Sequence, residues 1–455
     1  MKKYVWRFLS FSYTFLPLLC WAQATAQLNK DTLDFSLLRQ DDKILIVAPK
    51  NAYQKLKAIP LGYNASLSLG GSYRFQTESF INEQFNKNQD QTDYWFLHRG
   101  MFHAHLKMAS NFELFGELNS SLINSREDIS PVQKDALSIN QLFARYRVND
   151  RFNVLVGRQN MRFGSGRLVD VREGPNVRLS FDMVQLQYTY TNTKLTGFHA
   201  IPVHLQAGVF DNDSFENSET LTGLYWTQNW TTSTHTDLYV LHKKEDNKTW
   251  NNGTADDNRT SIGLRHFGNW KGLVYNNEFV YQLGSFGNQN ITAWTASFNV
   301  EKKFNTAHPF ILGVKTEAIS GDTNGNDTTL NTFDALYPRG AYFGRVARFG
   351  PSNLIDVHPY VETQIGRVAI ALDYVAFWRF SQKDGLYNPA LILEYPATNN
   401  GKFIASQLGA AAAFSATNFL QFTIETSIIF PGNFLKQSNK SDTLLHFVFT
   451  TEFKF

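Results

Sequence analysis

Apolar and polar residues alternate with a period of two along many short segments of the chain. In segment 444–455 the apolar side chains fall on one face of an extended chain: Leu445, Phe447, Phe449, Phe453 and Phe455. The side chains between them are mostly polar and include His446, Thr450, Glu452 and Lys454. Because successive side chains of a β-strand point to opposite faces, this pattern predicts strands with one apolar face.

About 18 segments carry the pattern, and most have the roughly 9–11 residues that a tilted strand needs to cross a bilayer. The predicted strands are 63–78, 94–107, 112–122, 138–148, 152–160, 178–191, 196–210, 221–230, 234–243, 259–267, 272–283, 291–303, 309–320, 356–364, 367–380, 402–414, 418–429 and 444–455. An even number of strands predicts that both ends of the barrel chain lie on the same side of the membrane.

The connections between these strands alternate in length. The short ones include 149–151, 231–233, 268–271 and 415–417. The long ones are 79–93, 123–137, 161–177, 244–258, 321–355, 381–401 and 430–443. Short turns on one side and long loops on the other are typical of outer-membrane barrels, whereas a soluble β-sandwich has no reason to sort its loops in this way. The sequence therefore predicts an all-β fold, a transmembrane antiparallel β-barrel of about 18 strands.

Composition agrees with a membrane barrel. Aromatic residues make up 15% of the chain, and there is a single cysteine. After residue 26 no stretch is apolar for the roughly 18 residues that suggest a membrane-spanning helix. The apolar strand faces would then contact lipid, and the polar faces would line the lumen.

The first 26 residues have the pattern of a secretory signal peptide. Lys2, Lys3 and Arg7 precede an apolar run over 8–22, and Ala24–Ala26 supplies a small-x-small cleavage pattern. We expect cleavage near Ala26 and export to the outer membrane of a Gram-negative bacterium.

The rest of the chain divides into two predicted parts. Residues 27–60 do not alternate and are predicted to be a periplasmic lead-in, and residues 61–455 are predicted to be the barrel. The terminal Phe455 resembles the signal that the outer-membrane insertion machinery reads. We expect outer-membrane lipid and lipopolysaccharide around the barrel, and a monomer.

Net charge argues against a nucleic-acid partner. The chain carries a formal charge of +3, and without the three basic residues of the signal the counts are 40 basic and 40 acidic. Attraction for an anion must therefore come from the placement of charges.

Eight arginines lie between 143 and 182: Arg145, Arg147, Arg151, Arg158, Arg162, Arg167, Arg172 and Arg178. A second cluster, Arg339, Arg345 and Arg348, lies in the glycine-containing connection 321–355, which is predicted to be an ordered loop that tucks into the lumen.

Other motifs indicate no catalysis. The chain has no nucleophile elbow, no H-E-x-x-H and no P-loop, so no enzyme, catalytic residue or cofactor is predicted. His103 and His105 share a strand face with Arg99 and Lys107. A metal site and polar lumen lining are both open interpretations, and the cationic neighbours favour the lining.

Several short motifs resemble the alginate export porin family. They are Gly157-Arg158-Gln159, the run from Phe163 to Leu168, Asn176, Phe181-Asp182, Tyr342-Phe343-Gly344, the run from Gly350 to Leu354, and Phe377-Trp378-Arg379. The resemblance implies a monomeric 18-stranded outer-membrane barrel whose electropositive constriction passes a uronate polymer. It also implies that the constriction residues are Arg74, Arg145, Arg158, Arg167, Asp182, Arg345 and Arg379.

These observations favour a channel that passes an anionic polysaccharide or oligosaccharide by diffusion. Guanidinium groups bind carboxylates with paired hydrogen bonds, and in a wet pore each pair contributes only about 0–1 kcal/mol, so a passing anion can leave each site. Two alternatives remain. The same barrel could take up small anionic solutes, or its arginines could form a structural network in a plugged lumen.

Overall fold

The computed structural model describes residues 32–45, 49, 51–62, 64–86, 93–126, 129–214 and 218–455. The predicted signal peptide, 1–26, lies outside the described residues.

Eighteen antiparallel strands close into one barrel, as predicted. In chain order they are β1 (Ala65–Ile81), β2 (Asp93–Met108), β3 (Phe112–Asn124), β4 (Asp135–Arg147), β5 (Phe152–Gln159), β6 (Phe181–Tyr190), β7 (Thr193–Pro202), β8 (Glu219–Asn229), β9 (Thr234–Trp250), β10 (Gly253–Trp270), β11 (Leu273–Phe286), β12 (Gln289–Phe304), β13 (Phe310–Ile319), β14 (Leu354–Ile365), β15 (Val368–Arg379), β16 (Phe403–Ser415), β17 (Leu420–Pro431) and β18 (Leu444–Lys454). The barrel closes where β18 pairs with β1, from Leu445 opposite Ile81 to Lys454 opposite Ser72.

Apolar side chains of the strands point outward and polar side chains point into the barrel, the reverse of the arrangement in a soluble β-protein. On β18, Leu445, Phe447 and Phe453 are at least 40% exposed, whereas His446 is only 1% exposed. Exposed aromatic residues also lie near the short turns: Tyr146, Tyr188, Tyr190, Trp230 and Trp270. An apolar outer band with aromatic residues at its edge suits contact with lipid.

Two predicted boundaries were wrong. Residues 244–258 were expected to form a long loop, but β9 and β10 continue to Trp250 and Gly253 as one hairpin. This part of the hairpin is strongly polar, so the alternation that marks lipid-facing strands stops although the main-chain pairing continues. The strand predicted over 196–210 instead ends at Pro202, whose main-chain nitrogen has no hydrogen to donate to a ladder.

The segment before the barrel is folded against its short-turn end. It contains a two-stranded ribbon (Thr32–Asp34 with Lys43–Leu45), a 3₁₀ turn (Arg39–Asp41) and a short helix (Ala52–Lys57). The Asn51 side chain caps the helix by accepting a hydrogen bond from the Gln54 main-chain nitrogen at 2.9 Å. Ile59–Pro60 then pairs with the start of β1. Within the described ranges no helix is long and apolar enough to span a membrane.

Arg39 joins this segment to the closing seam of the barrel. Its guanidinium donates hydrogen bonds to the main-chain oxygens of Gly71 at 2.9 Å and Phe455 at 3.1 Å. Asp42 accepts from its Nε at 3.0 Å, and the Phe35 ring lies 4.9 Å from the guanidinium carbon. Arg39 is buried, so one side chain holds the first strand, the end of the chain and the leading segment together.

Replacing Arg39 with alanine is therefore expected to destabilise the closed barrel. Two hydrogen bonds from a charged donor are lost, which should cost about 2–4 kcal/mol at roughly 1.5–3 kcal/mol for each such bond and incomplete additivity. The measurement is the free energy of urea-induced unfolding in lipid vesicles. Arg147→Ala is the matched control, because Arg147 is exposed and donates only one long bond, 3.4 Å, to the Ser110 oxygen. Equal effects of the two changes would contradict the seam role.

Candidate functional site

Two long connections fold into the barrel instead of extending away from it. The first inward loop is 160–180, between β5 and β6, and the second inward loop is 320–353, between β13 and β14. They pair through the main chain: Tyr337 donates to the Leu168 oxygen at 2.9 Å, and Asp170 donates to the Tyr337 oxygen at 3.0 Å. Apolar side chains from both loops bury each other inside the barrel mouth: Met161, Leu168, Val169, Phe333, Leu336 and Tyr337. The loops therefore form a shared plug with its own core.

Glu173, at the tip of the first inward loop, holds a cluster of arginines. Its carboxylate forms ion pairs with Arg99 of β2 and with Arg178 of the same loop. Arg74 of β1 approaches the carboxylate at 4.0 Å and donates to the Glu173 main-chain oxygen at 2.9 Å. Burial alone would raise the pKa of Glu173, but Arg178, Arg99 and Arg74 outweigh burial and hold this pKa well below its usual value. Glu173 is thus an ionised anchor for the loop.

Asn176 fixes the loop to the wall beside this anchor. Its side-chain amide donates to the main-chain oxygens of His98 at 3.2 Å, Leu122 at 3.1 Å and Gln133 at 3.0 Å. Ser121 of β3 donates back to the Asn176 oxygen at 2.8 Å. The loop tip is consequently attached to β2, β3 and the connection that follows β3.

Arg167 anchors the other end of the first inward loop. It donates to Glu317 of β13 at 2.5 Å and lies 3.5 Å from the Glu278 carboxylate of β11. It also donates to the Tyr342 hydroxyl at 3.0 Å, and this hydroxyl donates to Glu317 at 3.0 Å. Tyr342 belongs to the second inward loop, so this buried network fastens both loops to the opposite wall.

Three of the residues predicted for the constriction belong to the inward loops or contact them. Arg167 and Arg74 hold the first inward loop as described. Arg345, from the second inward loop, donates to the Gly174 oxygen and to the Gln76 side chain, both at 2.6 Å. Arg345 therefore links the tip of the first loop to β1.

The other four predicted residues lie apart from this group. Arg158 and Asp182 face each other on β5 and β6 and form a two-point pair with both distances at 2.8 Å. Arg145 pairs with Glu113 of the neighbouring strand at 3.2 Å. Arg379 donates to main-chain oxygens of the connection 380–402, among them Gly401 at 2.6 Å. These residues form no single ring with the loop arginines.

A cavity of about 90 Å³ lies between the second inward loop and the wall formed by β13–β17. Its basic lining residues are Lys315 of β13 and Arg339 and Arg345 of the loop. Its acidic lining residues are Glu362, Asp373 and Glu425, all on the wall. Burial and then the nearby Arg167 lower the pKa of Arg339 to about 10, so this arginine stays cationic at neutral pH.

Small residues on the wall make room for this cavity. Asp373 of β15 pairs in register with Gly409 of β16, and Ala371 pairs with Ala411. A Cβ added at Gly409 would lie 2.3 Å from the Asp373 carboxylate, so only glycine leaves that carboxylate in place. The room for this cavity thus follows in part from residue size on two neighbouring strands.

Filling this space should reduce any current through the barrel. Ala411→Trp places a large ring in the cavity, and we expect single-channel conductance in a planar bilayer to fall severalfold. Ala412→Trp is the matched control, because Ala412 pairs with Ile424, which is 47% exposed on the lipid face. A conductance that Ala411→Trp leaves unchanged would mean that ions take another path.

The extracellular end of the lumen is covered by the polar hairpin of β9 and β10. Trp250 packs edge-on against Tyr387, with ring centres 5.3 Å apart. The Asn251 main-chain nitrogen donates to the Tyr387 hydroxyl at 3.1 Å, and Asn252 donates to Asp322 at 2.8 Å. The hairpin tip therefore contacts the second inward loop and the connection 380–402.

The histidines do not form a metal site in the described part of the chain. His103 lies 3.8 Å from Glu117, and His105 lies 3.5 Å from Glu113. Among the described residues, no three His, Cys, Asp or Glu side chains are grouped to hold a metal ion.

Sequence reasoning missed Glu173, Glu278 and Glu317 as partners of the arginines, and it missed Lys315 as a cation in the lining of the cavity. The alternation of apolar and polar residues along their strands predicts that Lys315, Glu317 and Glu278 face the lumen. Their partners could not be predicted, because Arg167 and Glu317 are 150 positions apart.

Comparisons with known proteins agree with this architecture. A family model described as alginate export matches residues 65–449. None of the curated proteins matches the chain. A BenF-like porin from Pseudomonas fluorescens Pf-5 has a similar structure, with a TM-score of 0.58, 9% identity, and 85% of this chain and 99% of that chain covered.

Two proteins of Pseudomonas aeruginosa are similar to nearly the same extent. For OpdQ the TM-score is 0.56 at 9% identity, with 86% of this chain and 97% of that chain covered. For OccK8 (OprE) the TM-score is 0.56 at 10% identity, with 86% and 98% covered. At such identities the likeness concerns the barrel fold.

Proposed function

Since the chain belongs to the alginate export family and is an outer-membrane channel, we propose that it passes acidic saccharides by diffusion along the wall of β13–β17. The observation that carries this proposal is the cationic lining of the cavity by Lys315, Arg339 and Arg345. These three side chains come from both sides of the open space. An acidic sugar that follows the wall would meet them in turn.

The strength of such contacts suits passage. A guanidinium–carboxylate pair in a wet lumen contributes about 0–1 kcal/mol, so an anion is attracted and released again. Glu362 and Glu425 on the wall weaken the attraction further. Neither ATP nor a cofactor is needed for movement down a concentration gradient, and a channel of this kind performs no chemistry on its passenger.

Uptake of small anionic solutes is the second candidate, and the shared plug of the two inward loops favours it. The cavity described beside the plug measures about 90 Å³, so a polymer needs the loops to move further than a small solute does. Passage of single acidic sugars but not of their polymer would support this candidate.

Charge reversal at Arg345 tests the proposal. In planar bilayers the purified protein should conduct with an anion-to-cation permeability ratio above one, and Arg345→Glu should lower this ratio several-fold. Oligouronate added to the bath should block the current of the natural chain at lower concentrations than that of the variant.

Arg367→Glu is the matched control, since it changes the same charge in an exposed turn where Arg367 donates only to the Ala416 oxygen. A cation-selective current that Arg345→Glu leaves unchanged would argue that the arginines only brace the wall. Absence of current from the natural chain would favour the plugged structural barrel.

A further inference from the structure

The connection that follows β7 completes the wall beside the long-loop end of β4. β5 is short and pairs with none of residues 135–141 of β4. Residues 203–214, here called the strap, take this position. The main-chain nitrogens of Ala136 and Leu137 donate to oxygens of the strap at 3.3 and 3.2 Å, and Phe210 of the strap donates back to the Leu137 oxygen at 2.8 Å. The strap therefore satisfies main-chain groups of β4 that β5 does not reach.

Two aspartates lie where the strap meets β4. Asp135 is the first residue of β4, and its Oδ2 accepts a hydrogen bond from the side-chain amide of Asn212 in the strap at 2.8 Å. Asp211 precedes Asn212 in the chain, and its Oδ2 accepts from the Gly208 main-chain nitrogen at 2.9 Å. One oxygen of each carboxylate is thus bound within the junction.

The other oxygen of each carboxylate is buried without a donor. Among the described residues, no donor lies in hydrogen-bonding geometry to Oδ1 of Asp135 or to Oδ1 of Asp211. Asp135 as a whole is 0% exposed, so bulk water does not solvate its charge. Such a group is costly unless something else binds it.

The protein supplies no cation to these carboxylates. The groups that act on the Asp135 carboxylate are the neutral side chains of Ser138 and Asn212 and the like charge of Asp211, which is unfavourable. Within the part of the chain that the structure describes, neither aspartate forms an ion pair with a basic side chain. Because buried charges are normally paired or bound to a metal ion, the junction has the character of a cation site.

We propose that Asp135 and Asp211 bind a calcium ion that fastens the strap to β4. Ca²⁺ takes about six to eight oxygen ligands in adaptable geometry, whereas Mg²⁺ requires a near-ideal octahedron, which a junction between a strand and a loop is less suited to provide. The two aspartates supply the negative charge, and neutral oxygens and water complete the shell. The site is independent of what passes through the lumen.

The affinity follows from the small number of charged ligands. Two carboxylates should give a Kd of about 0.1–1 mM, the range of extracellular calcium modules. Calcium that binds only the closed junction stabilises it by mass action. At a calcium concentration about ten times the Kd, opening of the strap should become roughly tenfold rarer.

Hydrogen–deuterium exchange of the purified full chain in detergent tests the site. Exchange in 203–214 is measured by mass spectrometry after chelator treatment and again with calcium at about ten times the expected Kd. Calcium should slow this exchange roughly tenfold. Asp135→Asn and Asp211→Asn should each abolish the response. Asp213→Asn is the matched control, because it removes the same charge at an exposed position of the same strap and should keep the response.

A calcium-free comparison shows that the variants keep the strap in place. Each Asn variant removes the repulsion between the two aspartates, so without calcium its strap should exchange no faster than that of the natural chain. Equilibrium dialysis with radioactive calcium should count one more ion on the natural chain than on either variant.

Two results would overturn the calcium site. The first is strap exchange in the natural chain that calcium leaves unchanged. The second is a calcium response that both Asn variants retain, with equal numbers of bound ions, because the ion would then bind elsewhere.

Discussion

Arg167→Met is expected to destabilise the barrel by roughly 3–5 kcal/mol, the effect of removing one partner from a buried charge network. Glu278 and Glu317 would keep their charges with no guanidinium beside them, and Tyr342 would lose a donor. The two inward loops would also lose their shared attachment to the wall. Urea-induced unfolding in lipid vesicles measures the first effect, and a larger, noisier single-channel current measures the second.

Two further variants make this prediction specific. Arg162→Met removes an arginine from the same loop, but Arg162 is partly exposed and pairs with a single carboxylate, Asp170, at 3.3 Å, so we expect a smaller loss than for Arg167→Met. Adding Glu317→Gln to Arg167→Met should recover part of the lost stability, because it removes an uncompensated charge. A double variant less stable than Arg167→Met alone would be inconsistent with this explanation.

Glu173→Gln is the second change with a large expected effect. Arg74, Arg99 and Arg178 would share an amide in place of a carboxylate, which should cost roughly 3–5 kcal/mol in the free energy of unfolding. Glu83→Gln is the control, since Glu83 also pairs with an arginine, Arg126 at 3.5 Å, but in the outer connection where pairs are worth about 0–1 kcal/mol. Comparable losses for both variants would rule out the anchoring role of Glu173.

The difference between the natural chain and Glu173→Gln should depend on pH. The folded pKa of Glu173 lies below its unfolded value, so the natural chain has the full stabilisation above an unfolded pKa of about 4.3. Below that pH the unfolded chain takes up a proton first, and the advantage decreases as pH falls towards the folded pKa. A difference that stays constant from pH 6 to pH 3 would contradict an ionised anchor.

Sequence patterns predicted the barrel well because the responsible forces are local to each strand. Leu445 and His446 are neighbours that face lipid and lumen, so their alternation is visible without knowing the fold. The same logic failed for 244–258, where the hairpin extends beyond the apolar band and its exposed face carries polar side chains instead of apolar ones. The alternation in connection length correctly predicted that the short turns lie at one end of the barrel and the long loops at the other.

The partners of the arginines at the inward loops could not be predicted from such patterns. The arginine clusters led to the prediction that 143–182 and 321–355 carry charge into the lumen, and these two segments overlap the inward loops to which Arg167 and Arg345 belong. Whether an arginine lines open space or binds a distant carboxylate depends on pairs such as Arg167 with Glu317, which only the closed barrel brings together. Arg345 also donates to a main-chain oxygen, that of Gly174. Because every residue has such an oxygen, the sequence does not show which of them a side chain will bind.

The contact of Arg39 with the seam has a consequence for the order of assembly. Its two acceptors, Gly71 and Phe455, lie side by side only after the first and last strands have met. The contact therefore forms after the step that closes the cylinder, and contacts made after the rate-limiting barrier slow unfolding without speeding folding. The leading segment would then lower the unfolding rate of the closed barrel and leave its folding rate unchanged.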